Sequence, residues 1–409
     1  MKTSTWSRAD HSRENGPGGA CRSKGGWRKS HSSLVAMIIA VTLLCGAAIQ
    51  PRTAGAQVSL RSYGTTPSPN TGSGDNALAA VTCPSPKQCL AVGDWQPGGL
   101  DRTLVEAWTG IAWKVVPSAN PSHTYDYLNG VSCPTSKLCF AVGAKSTPDQ
   151  TLIERWTGGN WGVVPSPDRG TRANILTAVS CVSATLCEAV GSVQTATGTN
   201  TLIEQWNGHH WSLTSSPNVG SHDNMLTGVS CSRATSCIAV GNANPTAAVQ
   251  TFVERWDGHH WTIVTTPNDG TESNYLTAVS CPSPTSCLAV GEAAHSSIFS
   301  TLAERFNGKT WTIVPSANVG ASGNLLQGVA CISPTFCEAV GYFDNPTVRK
   351  TLAERWNGHL WTRVPSTTVS SGDNEVDAVA AVPGNPVSFK AVGWDTIGTI
   401  TKTLIESGR

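Results

Sequence analysis

Cysteine is the reactive residue with the most regular spacing in this chain. Of its 14 cysteines, twelve form pairs whose two members are separated by five residues. The pairs are Cys83 with Cys89, Cys133 with Cys139, Cys181 with Cys187, Cys231 with Cys237, Cys281 with Cys287, and Cys331 with Cys337. Structural zinc would require closer spacing and further Cys or His ligands, and thiol redox chemistry would favour Cys-x-x-Cys. In an exported protein this spacing predicts six structural disulfides, with zinc and redox chemistry as alternatives. We predict no metal site and no cofactor.

A second set of residues suited to chemistry follows the tripeptide Ala-Val-Gly, which recurs after each cysteine pair. Four copies continue with Ala144-Lys145, Ser192-Val193, Asn242-Ala243 and Glu292-Ala293. The other three continue with aromatic and acidic residues: Asp94, Trp95, Tyr342, Phe343, Asp344, Trp394 and Asp395. Aromatic rings can stack on a sugar or anchor a protein loop, and carboxylates accept hydrogen bonds from either ligand. These seven residues are therefore candidate ligand-binding residues. Alternatively, the aromatic residues have a structural role and fill the junction at which the last copy meets the first.

The elements that position these residues belong to a repeat of about 50 residues, which occurs seven times and lacks cysteines only in its last copy. Each copy contains four β-type segments: L-x-x-V-S-C (strand A), C-x-A-V-G (B), T-L-x-E-R-W (C) and W-x-x-V-P-S (D). The Asn-Gly between strands C and D is a hairpin signal. Four antiparallel strands repeated at this period are typical of a propeller blade. We therefore predict an all-β fold, a seven-bladed β-propeller.

The seventh copy stops after strand C, so the ring needs a closing strand from elsewhere. Tyr63 precedes Leu78 by 15 residues, as Trp161 of strand D precedes Leu176 of the next strand A. Residues 57–70 are therefore predicted to complete blade seven, which removes the exposed edges of an open array. Within one domain of residues 57–409, the predicted blades span about 74–120, 121–168, 169–218, 219–268, 269–318, 319–368 and 369–409.

Some polar residues recur in every blade, whereas a catalytic site requires one asymmetric pocket. Strand C carries Glu106, Glu154, Glu204, Glu254, Glu304, Glu354 and Glu406. We predict that these carboxylates form a structural network between blades, pairing with the Arg that follows Glu in four copies. The Asn or Asp two residues before the Leu of strand A is predicted to bond the local backbone, with a ligand ring on the axis as the alternative. The paired tryptophans are predicted to pack across the C–D turn, with sugar-stacking platforms as the alternative.

The N-terminal segment indicates export. Residues 1–33 are polar and basic, residues 34–49 are apolar, and Ala54-Gly55-Ala56 offers a cleavage site. The apolar run is shorter than the roughly 18 residues of a membrane span, so we predict a signal peptide over residues 1–56 with cleavage near residue 56, an uncleaved anchor being the alternative. The secreted chain that remains has an acidic excess and no basic stripe, which disfavours nucleic acid as a partner. It is expected to be a monomer without a membrane span.

The repeat L-x-x-V-S-C-P-S-x-x-x-C-x-A-V-G, followed by T-L-x-E-x-W-x-G-x-x-W-x-x-V-P-S, resembles repeats of exported bacterial β-propeller proteins that mostly lack an assigned activity. Through its Trp-Asn-Gly-x-x-Trp hairpin it is more distantly similar to Kelch and sialidase-type propellers. A sialidase Asp box would lie between strands C and D. The nearest string, residues 166–170, lies between D and A and has Ala173 in place of the required Trp. No active site carries over from the resemblance.

These observations predict a secreted, noncatalytic binding propeller. Its ligand, a carbohydrate or an extracellular protein, is expected on the face that carries the B–C and D–A loops. One alternative is a glycan-processing hydrolase or lyase with Asp94, Asp344 and Asp395 as its acids. Another is a purely structural component of the cell envelope.

Overall fold

The structure is a computed structural model that describes residues 62–408, except residues 147, 221, 246–247, 297, 321, 368 and 385–386. The predicted signal segment, residues 1–56, lies outside the described residues. The described part is built from strands, turns and loops. It contains no helix long and apolar enough to cross a membrane.

The strands form seven four-stranded antiparallel sheets, and each sheet is one blade with its strands in the order A, B, C, D. The A strands are β2 (Asn76–Ser85), β6 (Asp126–Thr135), β10 (Asn174–Ser183), β14 (Asn224–Arg233), β18 (Asn274–Ser283), β22 (Asn324–Ser333) and β26 (Asn374–Val382). The B strands are β3 (Gln88–Trp95), β7 (Leu138–Lys145), β11 (Leu186–Gln194), β15 (Ser236–Ala243), β19 (Ser286–His295), β23 (Phe336–Asp344) and β27 (Ser388–Ile397).

The outer half of each blade follows the same order. The C strands are β4 (Arg102–Trp108), β8 (Gln150–Trp156), β12 (Thr199–Trp206), β16 (Gln250–Trp256), β20 (Ile298–Phe306), β24 (Arg349–Trp356) and β28 (Ile400–Gly408). The D strands are β5 (Trp113–Val115), β9 (Trp161–Val164), β13 (Trp211–Thr214), β17 (Trp261–Val264), β21 (Trp311–Ile313), β25 (Trp361–Arg363) and, for blade seven, β1 (Gly64–Thr65). The predicted seven-bladed β-propeller is confirmed.

The ring closes through the N-terminal strand, as predicted. In β1, Gly64 and Thr65 pair with Ser407 and Glu406 of strand C. Tyr63 is fully buried, and its ring lies against Gly408. In other blades a Trp or Phe occupies the position of Gly408, so a glycine on one strand makes room for the tyrosine on the other.

Disulfides join strands A and B at one end of blades one to six, and the predicted pairing is confirmed in every case. The bonds are Cys83 to Cys89, Cys133 to Cys139, Cys181 to Cys187, Cys231 to Cys237, Cys281 to Cys287, and Cys331 to Cys337. Because these thiols are consumed in disulfides, the alternatives of a zinc site and of a thiol redox centre are not supported at these cysteines. Blade seven has Ala381 opposite Phe389 at this place, so an aromatic side chain stands where the other blades have a covalent bond.

The aromatic pair across the C–D turn packs as predicted, with ring centroids 5.8 Å apart for Trp206 and Trp211. Both rings are buried and also contact Phe140 of blade two, at 5.0 and 5.3 Å. The hydrophobic core therefore lies between blades.

A bulge in strand A of every blade brings its backbone close to the Gly of Ala-Val-Gly. A Cβ on Gly341 would lie 2.1 Å from the carbonyl oxygen of Leu325. Such a distance is impossible for a side chain, so only glycine fits there. The residue that follows this glycine on strand B differs among the blades.

Residues just after the bulge make the contact between neighbouring A strands. Alanine and glycine alternate there around the ring: Ala80, Gly130, Ala178, Gly228, Ala278, Gly328 and Ala378. A Cβ on Gly328 would lie 2.9 Å from the Cα atom of Ala378 in the next blade. Because the number of blades is odd, the alternation fails once, between Ala378 of blade seven and Ala80 of blade one.

Candidate functional site

The recurrent strand C glutamates are fully buried and reach the segment that follows strand D of the preceding blade. Ser216 donates to Glu254 at 2.8 Å, and Ser366 donates to both oxygens of Glu406 at 2.8 and 2.7 Å. Burial raises the pKa of each of the seven carboxyl groups to about 7 or 8. The predicted network between blades is confirmed.

The predicted arginine partners of these glutamates are wrong. Arg355 pairs with Glu338 of its own blade, and the guanidinium of Arg155 lies 5.6 Å from the ring centroid of Trp206. Glu and Arg are adjacent on strand C and so project to opposite faces of the blade. The arginines meet aromatic rings of the core, whereas the glutamates meet hydroxyl groups of the D–A segments.

The recurrent Asn or Asp at the start of strand A bonds the local backbone, as predicted. In blade four, Asn224 Oδ1 accepts from the backbone N–H of Val219 at 2.8 Å, and Asn224 Nδ2 donates to the carbonyl of His222 at 2.7 Å. The other members of this set are Asn76, Asp126, Asn174, Asn274, Asn324 and Asn374, all buried. Their polar atoms hold the D–A loop and are not presented to a ligand.

Two hydrogen bonds repeat at four consecutive interfaces, from blade two to blade six; we call these interfaces the arc. Thr277 donates to the carbonyl of Leu326 in the next blade at 2.7 Å, and the N–H of Cys331 donates to Ser280 Oγ at 3.0 Å. The equivalent pairs are Asn129–Leu176, Thr177–Leu226, Thr227–Leu276, Ser132–Cys181, Ser180–Cys231 and Ser230–Cys281. Neighbouring A strands of the arc are thus joined by neutral contacts to the backbone.

Blades six, seven and one, the seam sector, have other residues at these positions. They are Gln327, Asp377 and Ala79 in place of the Thr or Asn donor, and Ala330, Ala380 and Thr82 in place of Ser. Gln327 donates to Glu375 of blade seven, a side chain, at 2.9 Å. The symmetry of the ring is therefore broken in the sector that contains the seven candidate residues.

Two candidates in blade six, Tyr342 and Asp344, lie beside an arginine that sequence reasoning missed. Arg349 lies 4.5 Å from the ring centroid of Tyr342, 3.0 Å from Glu375 Oε2 and 3.8 Å from Asp344 Oδ1. Tyr342 is only 6% exposed, whereas the Asp344 side chain is 46% exposed. Burial raises the pKa of Tyr342, and the nearby Glu375 raises it further. This cluster holds a guanidinium between an aromatic ring and two carboxylates.

The other candidates lie at the ends of the B strands of all three seam blades. Phe343 packs against the core between blades five and six, and Trp95 packs against the core between blades seven and one. Trp394 is half-buried and pairs across the strands with Glu375. Asp395 is buried at 4% exposure, and this burial raises its pKa.

The end of the propeller that carries the B–C and D–A loops, the loop face, has more carboxylates than basic side chains. Its acids are Asp75, Asp94, Asp101, Asp126, Asp149, Asp168, Asp223, Asp269, Glu272, Glu292, Asp344, Asp373, Glu375, Asp377 and Asp395. Its bases are Arg102, Lys145, Arg169, Arg172, Arg349, Lys350 and Lys402. The opposite face carries Lys87, Lys137, Arg233 and Lys309 on its turns, with Asp257. The molecule therefore has one acidic end.

Two cavities of the described loop face are small. One cavity of about 160 Å³ lies beside Phe252 in blade four, and one of about 30 Å³ lies beside Asp168 between blades two and three. Pockets that bind drug-sized ligands have volumes of roughly 300 to 1,000 Å³. Within the described part of the chain, no three His, Cys, Asp or Glu side chains are grouped so as to hold a metal ion.

Two residues of this cluster were missed for lack of a local signal. Glu375 occupies a position where five other blades have Tyr127, Ile175, Met225, Tyr275 and Leu325. Arg349 follows a variable loop, so nothing in its neighbourhood along the chain indicates its partners. Comparing equivalent positions among the seven copies would have found Glu375, but not the contact between the two residues.

Solved structures share this architecture. The chain is similar to "YCF48 bound to D1 peptide", with a TM-score of 0.50 and 12% identity over 86% of this chain and 96% of that chain. It is also similar to the Chaetomium thermophilum Sqt1 bound to the N-terminus of the ribosomal protein L10, with a TM-score of 0.47 and 10% identity over 83% of this chain and 90% of that chain. No protein-family model and no curated protein matches the sequence. The first likeness shows the propeller fold.

Proposed function

We propose that this chain is a secreted, noncatalytic propeller that binds a segment of another protein on its loop face. The observation that carries the proposal is the broken symmetry of the seam sector. The residues that make the repeated contacts of the arc are replaced there, and the B strands of these three blades carry aromatic and acidic residues at their loop-face ends. A ligand bound in one orientation requires such an asymmetric surface.

A protein ligand fits this surface better than a carbohydrate. Sugar binding needs an open aromatic ring face, but the Tyr342 ring is covered by Arg349, and the guanidinium of Arg363 lies 5.2 Å from the ring centroid of Phe343. A shallow, charged surface suits a chain segment that crosses it and is anchored at a few points. YCF48, whose fold this chain shares, is bound to the D1 peptide in its solved structure. That complex supports a peptide as the first ligand class to test.

Secretion and the absence of catalysis are parts of the same proposal. Disulfides persist in oxidising compartments, and six of them join the blades' inner strands. Among the three acids considered for glycan hydrolysis, Asp395 is buried beside Asn374, and Asp344 lies next to Arg349. Glycosidases instead present two carboxyl groups, about 5 to 10 Å apart, to one scissile bond.

The experiment is a parallel screen of the exported protein against a random-peptide phage library and a glycan array. We expect selected peptides to bind, and we expect Asp344→Asn and Trp394→Ala to weaken binding about tenfold or more, a loss of roughly 1.4 kcal/mol. Both positions are partly exposed, so the melting temperature should change little. Ala184→Lys is the control, because it makes the same change in charge as Asp344→Asn on an exposed turn of the opposite face.

Four outcomes would count against the proposal. Binding of glycans without peptides would favour the carbohydrate ligand, and release of sugars from a bound glycan would favour the hydrolase. Equal peptide binding by the wild type, Asp344→Asn and Trp394→Ala would place the ligand elsewhere. A large fall in melting temperature for Trp394→Ala would show that the Trp394 side chain is a structural residue of the seam sector and not a ligand contact.

A further inference from the structure

Glu292 of blade five is a buried carboxylate that the scaffold does not use. It follows Ala-Val-Gly and takes the place of Tyr342 and Trp394 in the seam blades. It is 9% exposed, and among the described residues no donor reaches its Oε2 atom. A buried carboxylate oxygen without a donor costs free energy, because its desolvation is not compensated by a hydrogen bond. A ligand that brings a donor to this atom would recover that free energy.

A tyrosine of the same blade lies beside this carboxylate. Tyr275 lies directly opposite Glu292 on strand A, so both side chains project from the same face of the blade. Tyr342 lies in the next blade. Burial raises the pKa of Tyr342, and the negative charge of Glu292 contributes to this rise. Aromatic rings beside a carboxylate form a site for a cation, since each ring face attracts positive charge.

The protein itself shows what such a site holds. The guanidinium of Arg349 lies over the Tyr342 ring and is bonded to Glu375. A planar guanidinium suits this arrangement because it stacks on a ring and donates to carboxylates at the same time. The site at Glu292 has a ring and a carboxylate but no arginine of its own among the described residues. The acidic loop face would also attract a cationic segment from a distance.

We propose that Glu292 anchors an Arg or Lys side chain of the protein segment bound on the loop face, beside Tyr275 and Tyr342. This inference rests on the proposed function and narrows the partner to a cationic peptide.

The test uses peptides selected by the exported protein from the random library. Selected sequences should be enriched in Arg or Lys, and Glu292→Gln should weaken their binding about tenfold or more. Replacing the key Arg by citrulline, which is neutral and similar in shape, should weaken binding to the wild type but cause little further loss with Glu292→Gln. Such non-additivity is the mark of a direct contact.

Glu188→Gln is the matched control. Glu188 is also a buried strand B glutamate with one unpartnered oxygen among the described residues, but it follows Cys187, at the opposite end of its strand from the loop face. The control should leave peptide binding unchanged. The inference fails, while the proposed function stands, if peptides bind through Asp344 and Trp394 but bind Glu292→Gln as tightly as the wild type. It also fails if the peptides lack Arg and Lys. If no peptide binds the wild type, both proposals are overturned.

Discussion

The arc and the seam sector use the same blade but join neighbouring blades in different ways. In the arc, Thr or Asn and Ser side chains bond the backbone of the next blade, with neutral partners throughout. Between blades six and seven, Gln327 and Arg349 instead bond the side chain of Glu375. Contacts to backbone atoms can be repeated with any neighbour, whereas contacts between side chains depend on particular residues. The repeated contacts thus join blades along the arc, whereas the contacts that depend on particular side chains lie in the seam sector.

The largest expected effect is one that both regions share, the dependence of stability on pH. The folded-state pKa of the seven strand C glutamates lies near 7 or 8, above the unfolded value of about 4.5. The folded protein therefore binds more protons than the unfolded chain between these values. Their contribution to stability is complete below about pH 4.5 and is lost as the pH rises through 7 to 8. We expect the melting temperature, measured by calorimetry, to fall from about pH 5 to pH 8.

Two variants connect this prediction to the two regions. Glu254→Gln in the arc and Glu406→Gln in the seam sector should each reduce the pH dependence by a similar amount, since both carboxylates accept from a serine of the preceding blade. A melting temperature that is constant or rises over this range would contradict the prediction. Unequal effects of the two variants would mean that the glutamate network is not uniform around the ring.

The next largest effect is expected at the closure of the ring. Tyr63→Ala removes a fully buried ring that packs on Gly408, and it should lower the free energy of unfolding by about 3 to 5 kcal/mol. Tyr63→Phe is the control. Among the described residues the Tyr63 hydroxyl has no hydrogen-bond partner, so its removal should cost nothing or stabilise the protein slightly. Urea unfolding measures both variants, and equal losses would show that the hydroxyl, not the ring, supports the closure.

A smaller effect is expected at the contact between neighbouring A strands. Gly328→Ala places a Cβ 2.9 Å from the Cα atom of Ala378, and such overpacking should cost about 1 to 3 kcal/mol. Gly162→Ala is the control, because nothing lies within 4 Å of its Cβ position in strand β9. If the two variants have equal stability by urea unfolding, the blades can move apart without cost, and the alternation of Ala and Gly has no structural role.

The smallest effect is a gain from copying the arc into the seam sector. Ala79 of blade one occupies the position of Thr277. A threonine there should donate to the carbonyl of Leu128 and add about 0.5 to 1.5 kcal/mol to the free energy of unfolding. Ala79→Val has the shape of threonine without its hydroxyl and should lack this gain. If the two variants unfold at the same urea concentration, the hydrogen bonds of the arc contribute nothing to the difference between the regions.

Sequence reasoning succeeded where a residue and its partner are close along the chain. Asn224 bonds Val219 and His222 within one loop, and Cys181 pairs with Cys187 across one hairpin. Both contacts follow from residue type and spacing. The closing strand was also predictable, because Tyr63 has the same distance from strand A as the strand D tryptophans. The location of the signal segment and the roles of the seven candidate residues stay predictions.

Sequence reasoning failed where the partner lies on another blade. The predicted pairing of strand C glutamates with arginine would have joined opposite charges. In the structure, however, Ser216 donates to Glu254. Whether a serine or an arginine reaches the carboxylate depends on the position of one blade relative to the next. Glu292 gave no signal along the chain, although its negative charge contributes to the raised pKa of Tyr342 in a neighbouring blade.

The sequence by itself determined the architecture of this protein: seven blades, the order of their strands, six disulfides and the strand that closes the ring. These features repeat, and each repeat confirms the others. Only the tertiary structure decided which residues of different blades meet, including the cluster of Tyr342, Arg349 and Glu375. The physical reason is that periodicity describes what the blades share, whereas a binding surface arises from contacts between residues that they do not share.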